Sequence, residues 1–275
     1  MPYEPFQRVH DSYLQIAHWM NQDCSLIAGF STRKGGVSKH SYKSLNVGFH
    51  VDDNEDDVRK NRLILAGVLQ FPLEHWVVAE QVHGTKVEKV TLQHRGKGAF
   101  CLGDALKGVD GIYTKEKGIL LVSLYADCVP LYFYSKKDNT VGLAHAGWRG
   151  TVGGIGQEMI RLWTKKEHIP LENIEVVIGP SISKEAYLVD DFVTRQVARL
   201  INQDDPAPYE KISENQYLLD LKLLNYLLLR KMGLKNEQIR ISNYCTANNN
   251  DLFFSHRYEK GKTGRMMSFI GFRTG

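Results

Sequence analysis

The chain has 275 residues and a formal net charge of +4 at pH 7; 43% of its residues are hydrophobic, 10% aromatic and 24% charged. This composition excludes an intrinsically disordered chain and allows a sizeable hydrophobic core. The basic residues form no dense block and no segment is long and apolar enough for a transmembrane helix, so we expect neither nucleic-acid nor membrane binding. Four scattered cysteines without a CxxC pair, and an N-terminus unlike a signal peptide, predict a cytoplasmic protein with reduced thiols.

Short apolar segments separated by polar turns occupy the first third of the chain. They predict strands at residues 13–16, 26–30, 76–79 and 86–90. The acidic run 52–57 precedes a predicted helix, where negative charge complements the helix dipole. His83 lies on the bend between the last two of these strands.

The central stretch predicts three short buried strands, at residues 119–125, 129–134 and 141–144. Residues 109–111 are interpreted as the turn that leads into this block. Cys128 and His145 stand at strand ends, and Arg149 precedes a glycine-rich segment, residues 150–156, that is followed by a helix. Because strand ends are where a rigid backbone meets open space, we expect the chemistry of the protein here.

The last part of the chain mixes helices and strands. Its patterns predict helices at residues 190–202 and 221–232, with Gly233 as the residue after the second helix, and strands at 174–178, 239–244 and 267–272. There is no internal repeat or low-complexity linker, and the break at 204–208 has core-like elements on both sides. The chain is therefore predicted to form one α+β domain, residues 1–275.

His83, Cys128 and His145 are the candidate chemical residues. Zinc prefers thiolate and imidazole ligands, and a catalytic zinc site keeps three protein ligands and one open position. Their wide spacing leaves unrelated core or surface histidines as an alternative. In a second interpretation, without metal, Cys128 is a nucleophile and His145 its base, as in a Cys–His hydrolase or amidase.

Two further residues beside this block have open interpretations. Arg149, next to the glycine-rich segment, could hold an anion together with backbone N–H groups, or could be a surface arginine paired with an acid. Asp127 could orient a histidine that binds the metal.

Several motifs, in order along the chain, resemble those of the YfiH/YlmD family. They are GFSTRKGGVS, SLNVGFHVDD, QVHGTKV, VDGIYT, ADCVPLYF, GLAHAGWRGTVGGI, IGPSISKEAY and NYCTANNNDLFFSHR with TGRMMSF. The resemblance implies a four-layer α/β/β/α sandwich with mixed sheets. It also implies one Zn²⁺ per chain, held by His83, Cys128 and His145.

The activities that the resemblance implies are phosphorolysis of adenosine, inosine and methylthioadenosine, with inorganic phosphate as co-substrate, and deamination of adenosine. Arg149 matches the arginine of the GWRG motif and is expected to help hold phosphate. Asn46, Arg62 and Arg257 match further recurrent polar positions and are expected to bind substrate. The expected partners are therefore small molecules, namely purine nucleosides and phosphate.

Members of this family have also been called multicopper polyphenol oxidases, and the sequence does not fit that name. Multicopper catalysis needs clustered His-x-His pairs, whereas the ten histidines here are scattered and form no such pair. Two other functions stay open at this point: a Cys–His amidase that acts on a cell-wall precursor in peptidoglycan editing, and a non-catalytic binding protein.

Overall fold

A computed structural model describes residues 3–274 of the chain, and fifteen strands and six α-helices lie within them. The strands are β1 (Phe6–His10), β2 (Tyr13–Ile16), β3 (Leu26–Ser31), β4 (Trp76–Val78), β5 (Val87–Lys89), β6 (Gly111–Thr114), β7 (Ile119–Tyr125), β8 (Val129–Ser135), β9 (Thr140–Ala146), β10 (Glu175–Ile178), β11 (Leu188–Val189), β12 (Tyr209–Ser213), β13 (Gln216–Leu219), β14 (Ile239–Ile241) and β15 (Met266–Phe272). The helices are α1 (Ala17–Met20), α2 (Glu55–Leu69), α3 (Trp148–Gly153), α4 (Ile155–Arg161), α5 (Asp191–Ala198) and α6 (Leu221–Lys231). None of the described helices is long and apolar enough to cross a membrane.

Two six-stranded mixed sheets form the centre of the protein. The first has the strand order β1-β2-β3-β15-β7-β4 and the second β14-β10-β8-β9-β6-β5. Most neighbours are antiparallel, but β4 with β7, β5 with β6 and β10 with β14 are parallel pairs. A third sheet, β11-β13-β12, is small.

The central strands β7, β8, β9 and β15 are buried along their whole length because each sheet is covered on both faces. In β7, Leu121 and Tyr125 point into the core between the two sheets, whereas Leu120 and Val122 pack with helix α2. In the second sheet, the outer face packs against helices α4 and α6. This alternation produces four layers, α/β/β/α, and confirms the predicted α+β class and sandwich.

Several segments differ from the sequence-based expectation. Residues 109–111 are not only a turn, since Gly111 begins strand β6. The glycine-rich segment does not precede its helix: α3 begins at Trp148, and Gly154, with φ +89°, separates it from α4. Strands β1, β12 and β13 were not predicted: most side chains of β1 and β12 are exposed, and β13 gives no apolar alternation. The assignment of residues 1–275 to one domain stays a prediction.

Glu167 links the edge of the second sheet to the end of the helical segment Leu162–Lys166, which follows α4. It accepts hydrogen bonds from Lys89 Nζ at 2.9 Å and from the Tyr113 hydroxyl at 2.9 Å, and it pairs with Lys115 Nζ at 2.9 Å. Although burial alone would raise the pKa of Glu167, these partners lower it to about 2.

A carboxylate with a lowered pKa stabilises the fold above its unfolded pKa and loses that contribution as pH falls towards its folded pKa. We therefore expect the stability of the protein to fall between about pH 4.5 and pH 2, the interval between the two pKa values of Glu167. Glu167→Gln should flatten this part of the curve, measured as urea unfolding at a series of pH values. Glu158→Gln, at a more exposed helical pair with Arg161, serves as the control. Equal slopes for Glu167→Gln and the unchanged protein would contradict the expectation.

Candidate metal centre and the adjoining cavity

The fold brings His83, Cys128 and His145 together from three separate segments. His83 lies in the loop after β4, Cys128 directly before β8, and His145 near the end of β9. One ligand atom of each residue lies within 4.8 Å of those of the other two. The His83 Nε2 atom is 3.8 Å from Cys128 Sγ, and the two imidazole rings are 4.8 Å apart between centroids. The described residues contain no second group of this kind.

Asp110, directly before β6, organises this centre. Its Oδ1 lies 2.9 Å from His145 Nδ1. This contact fixes the orientation of the ring and leaves Nε2 free to bind a metal ion. The same carboxylate accepts the backbone N–H groups of Val82, His83 and Gly84 at 3.1, 2.9 and 2.8 Å. Although burial alone would raise the pKa of Asp110, the hydrogen bonds from His145 and these amides lower it.

The backbone of His83 explains why this loop needs such support. Its φ of +60° lies in the left-handed region, which is uncommon for residues other than glycine. A conformation of this kind persists where its surroundings hold it, and here three consecutive amides surround one buried carboxylate. Asp110 thus positions one candidate ligand through its ring and another through its backbone.

Asp127 does not have the orienting role that the sequence allowed. Its Oδ1 accepts the Thr246 hydroxyl at 2.6 Å and its Oδ2 accepts the backbone N–H of Arg257 at 2.7 Å. Asp127 therefore ties two distant loops together behind Cys128, and the orientation of His145 comes from Asp110.

The thiol and the imidazoles influence one another strongly. Burial alone would raise the pKa of Cys128, but the neighbouring His145 and His83 lower it. Burial alone would lower the pKa of His145, but Cys128 and Asp110 raise it. The centre therefore favours a thiolate, which is the form of cysteine that binds metals.

Gly147 provides the space that the three side chains need. A Cβ at this position would lie 2.8 Å from His83 Cδ2 and 3.1 Å from Cys128 Sγ. The two nitrogen donors and one sulfur donor, the oriented His145 and this absence of a side chain all fit a single ion with a preference for soft ligands, such as zinc.

Gly147→Ala should weaken metal binding without removing a ligand. The added methyl group displaces His83 or Cys128. We therefore expect the affinity for Zn²⁺ to fall by at least about tenfold, which is the smallest effect typical of mutating residues that orient metal ligands. Competition with a chromophoric chelator measures the affinity. Gly67→Ala, where a Cβ meets nothing within 4 Å, is the matched control. An unchanged affinity for Zn²⁺ in Gly147→Ala would contradict the expectation that the three ligands need the space at Gly147.

A cavity of about 510 Å³ opens beside the candidate ligands, within the size range of small-molecule sites. His83, Cys128 and His145 form part of its wall. Much of the remaining wall is apolar, contributed by Val78, Ala79, Leu102, Ala105 and Leu124. Phe49, His50, Arg62, His256 and Arg265 also line it.

The four predicted polar site residues are not all placed together. Arg62 is buried and lines the cavity. Asn46 is also buried, but its side chain is bonded to the loops around it: Oδ1 accepts the backbone N–H groups of Gly48 and Arg265, and Nδ2 donates to Asp53. Asn46 thus shapes the wall of the cavity without lining it.

Arg149 and Arg257 lie by a separate surface depression. Arg149 is exposed and stacks on Trp148, with 4.5 Å from its Cζ to the ring centroid. Arg257 lies over Tyr187 at 5.3 Å and donates to the Leu188 carbonyl. Trp148, Tyr187 and Arg257 line this depression, and none of them lines the cavity beside the candidate metal ligands.

Sequence reasoning missed Asp110, Arg265 and Phe49. Asp110 is part of the VDGIYT motif, and a buried acid before a strand could have signalled it. Arg265 and Phe49 lie in the motifs TGRMMSF and SLNVGFHVDD, but those motifs do not indicate that the two residues share one cavity, because they reach it from loops more than two hundred residues apart.

The fold and the centre together define a class: a four-layer protein with a candidate three-ligand metal centre beside a small-molecule cavity. Residues 27–273 match the family model described as multi-copper polyphenol oxidoreductase laccase. The chain belongs to this family, the YfiH/YlmD family, as its motifs indicated.

Its relatives share nearly its whole length. The purine nucleoside phosphorylase YlmD of Bacillus subtilis (strain 168) is 49% identical over 274 residues, covering 98% of each chain. A purine nucleoside phosphorylase of Staphylococcus epidermidis is 41% identical over 265 residues, covering 95% of this chain and 98% of that protein. The crystal structure of YlmD from Geobacillus stearothermophilus has a TM-score of 0.95 at 46% identity, covering 99% of this chain and 100% of that one.

Proposed function

We propose that this protein is a zinc-dependent purine nucleoside phosphorylase. The observation that carries the proposal is the cavity itself, which places the His83, Cys128 and His145 centre and the buried Arg62 around one apolar space. Phosphorolysis needs a pocket for the flat faces of a purine base, a site for an anion and a group that stabilises the departing purine. Relatives named purine nucleoside phosphorylase over nearly the full length support this reading.

In the proposed enzyme, His83, Cys128 and His145 hold the ion. Bound zinc acts as a Lewis acid and lowers the pKa of a bound water. The chain's own residues orient the site: Asp110 holds the His145 ring and the loop of His83, and the apolar wall excludes water around the base. Adenosine, inosine and methylthioadenosine are the proposed substrates, with inorganic phosphate as the second.

Copper chemistry is a poorer fit to the same residues. A multicopper oxidase needs several metal ions with many histidine ligands, whereas residues 3–274 bring together one group with two histidines and one cysteine. The described donor set therefore favours one ion per chain, and zinc is the proposed one.

Metal analysis paired with a product assay tests the proposal. Protein purified without chelator or affinity tag should contain about one zinc per chain. Adenosine with phosphate should give adenine and ribose 1-phosphate, with no adenine when phosphate is left out. Inosine among the products would establish the proposed deaminase activity as well, whereas adenine release independent of phosphate would refute a phosphorylase.

A Cys–His hydrolase is the second candidate, and one observation favours it. Cys128, His83 and His145 lie within reach of one another, and Asp110 orients one of the histidines as the third member of a catalytic triad does. Such an amidase, with a cell-wall precursor as substrate, would survive metal chelation and lose activity on thiol alkylation. A zinc phosphorylase would lose activity on chelation. A non-catalytic binding protein would show no turnover to lose, and Cys128→Ala would then leave its ligand binding intact.

A further inference from the structure

Arg62 has an unusual environment for a buried cation. Its side chain is almost fully buried, with 2% of the residue exposed, and the Phe49 ring covers one face of the guanidinium at 4.3 Å. Nε donates to the Val47 carbonyl at 2.8 Å, and Nη1 donates to the carbonyls of Gly98 and Ala99 at 2.5 and 2.9 Å. Three loop carbonyls therefore hold the group in one fixed orientation.

These contacts leave the positive charge of Arg62 without a counter-ion and part of its guanidinium group without a hydrogen-bond acceptor. Arg62 forms no ion pair with a carboxylate of residues 3–274, and burial lowers the pKa of its guanidinium, although Cys101 and Asp104 act in the opposite direction. Its Nη2 has no acceptor within the same part of the chain, and the side chain lines the cavity. A buried charge without a counter-ion is costly to the fold, so its retention points to an anion that arrives from outside.

Arg265 contributes a second cation to the same cavity. Its Nη1 is bonded to the carbonyls of Thr263 and Gly264 at 2.9 and 3.0 Å, while Nε and Nη2 have no partner in the described chain. Gly48 makes room for it, since a Cβ there would lie 2.7 Å from Arg265 Cγ and 3.3 Å from His50 Cε1. The loop of Asn46 to His50 thus brings Arg265 and His50 to one side of the cavity.

The acidic residues of the cavity do not neutralise this side. Glu80 lines the cavity, but its carboxylate is paired with Lys107 at 3.4 Å. Planar guanidinium groups bind tetrahedral oxyanions through two parallel N–H donors. Arg265 keeps such a pair in Nε and Nη2, whereas Arg62 keeps the two hydrogens of Nη2.

We propose that Arg62 and Arg265 form the phosphate subsite of this cavity, with one inorganic phosphate held by the free donors of both guanidinium groups. The inference rests on the proposed phosphorylase function and makes it specific. It differs from the sequence-based expectation for Arg149, because the exposed Arg149 lies by the other depression. The nucleoside then occupies the apolar part of the cavity, between the phosphate and the metal ligands.

Arg265→Gln is the main test, because Arg62 also ties helix α2 to two loops and its replacement could unfold the protein. Loss of a charge-assisted contact should raise the KM for phosphate about ten- to a hundredfold, with less than about a threefold change in the KM for inosine. Arg62→Lys, which keeps the charge but not the planar fork, should raise the phosphate KM in the same direction. Arg240→Gln, at a half-buried arginine near Tyr3, is the matched control.

Calorimetric titration of inorganic phosphate separates the subsite from the proposed activity. Phosphate should bind the zinc-loaded and the metal-stripped protein, and Arg265→Gln should weaken both titrations by the same factor. Failure of the unchanged protein to bind phosphate, binding to the zinc-loaded protein alone, or a phosphate KM that rises in Arg149→Gln but not in Arg265→Gln would each overturn the subsite. Absence of phosphate-dependent purine release from a protein that still binds phosphate through Arg265 would refute the phosphorylase and keep the anion site.

Discussion

His83→Ala is expected to remove both the metal and the enzymatic activity. With one of three ligands lost, only Cys128 and His145 remain, and two ligands do not hold zinc in a catalytic site. We expect the zinc content to fall from about one ion per chain to near zero. Purine release should fall by more than about a hundredfold, because about a hundredfold is already the largest effect typical of mutating a residue that only orients a metal ligand. Mass spectrometry of the metal and a coupled purine assay measure the two quantities.

The control for this substitution is a histidine away from the centre. His75 is half-buried and packs against Phe71, and it lies outside both the metal centre and the cavity. His75→Ala should therefore keep its zinc and its activity. A His83→Ala variant that is metal-free and fully active would refute the zinc enzyme and favour the Cys–His alternative.

Asp110→Asn should weaken metal binding although Asp110 touches no metal. The substitution keeps the shape of the side chain but replaces a carboxylate oxygen with an NH₂ group. If the NH₂ group takes the place of Oδ2, it cannot accept the N–H groups of Val82 and Gly84. If it takes the place of Oδ1, it cannot accept the N–H group of His145. We expect the affinity for Zn²⁺ to fall about 10- to 100-fold, as for other residues that orient a metal-binding histidine. The affinity is measured by competition with a chelator.

The same substitution should also destabilise the metal-free protein. Each buried N–H group left without an acceptor costs about 1–3 kcal/mol, which urea unfolding of stripped protein measures. Asp127→Asn is the matched comparison, because Asp127 is also buried but bonds to Thr246 and Arg257 rather than to a histidine. If Asp127→Asn weakened zinc binding more than Asp110→Asn, the assignment of the orienting role to Asp110 would be wrong.

Much of the secondary structure could be predicted from local patterns alone. Strand β7 has the predicted bounds, because a strand buried on both faces is a continuous apolar run whatever packs against it. Gly233 follows helix α6 with φ +94°, as a glycine at that position predicts. Strands β12 and β13 could not be found in this way, since their pairing is set by neighbours rather than by their own side chains.

The candidate ligands His83, Cys128 and His145 were identified from residue types, strand ends and family motifs, and this much the sequence by itself determined. Only the tertiary structure decided what surrounds them. Asp110 orients His145 because β6 pairs with β9, with Gly111 opposite Ala144. Arg265 faces the cavity because β15 returns to the centre of the first sheet beside β3 and β7. Sheet register and long-range strand order bring distant residues together, and neither leaves a local pattern in the chain.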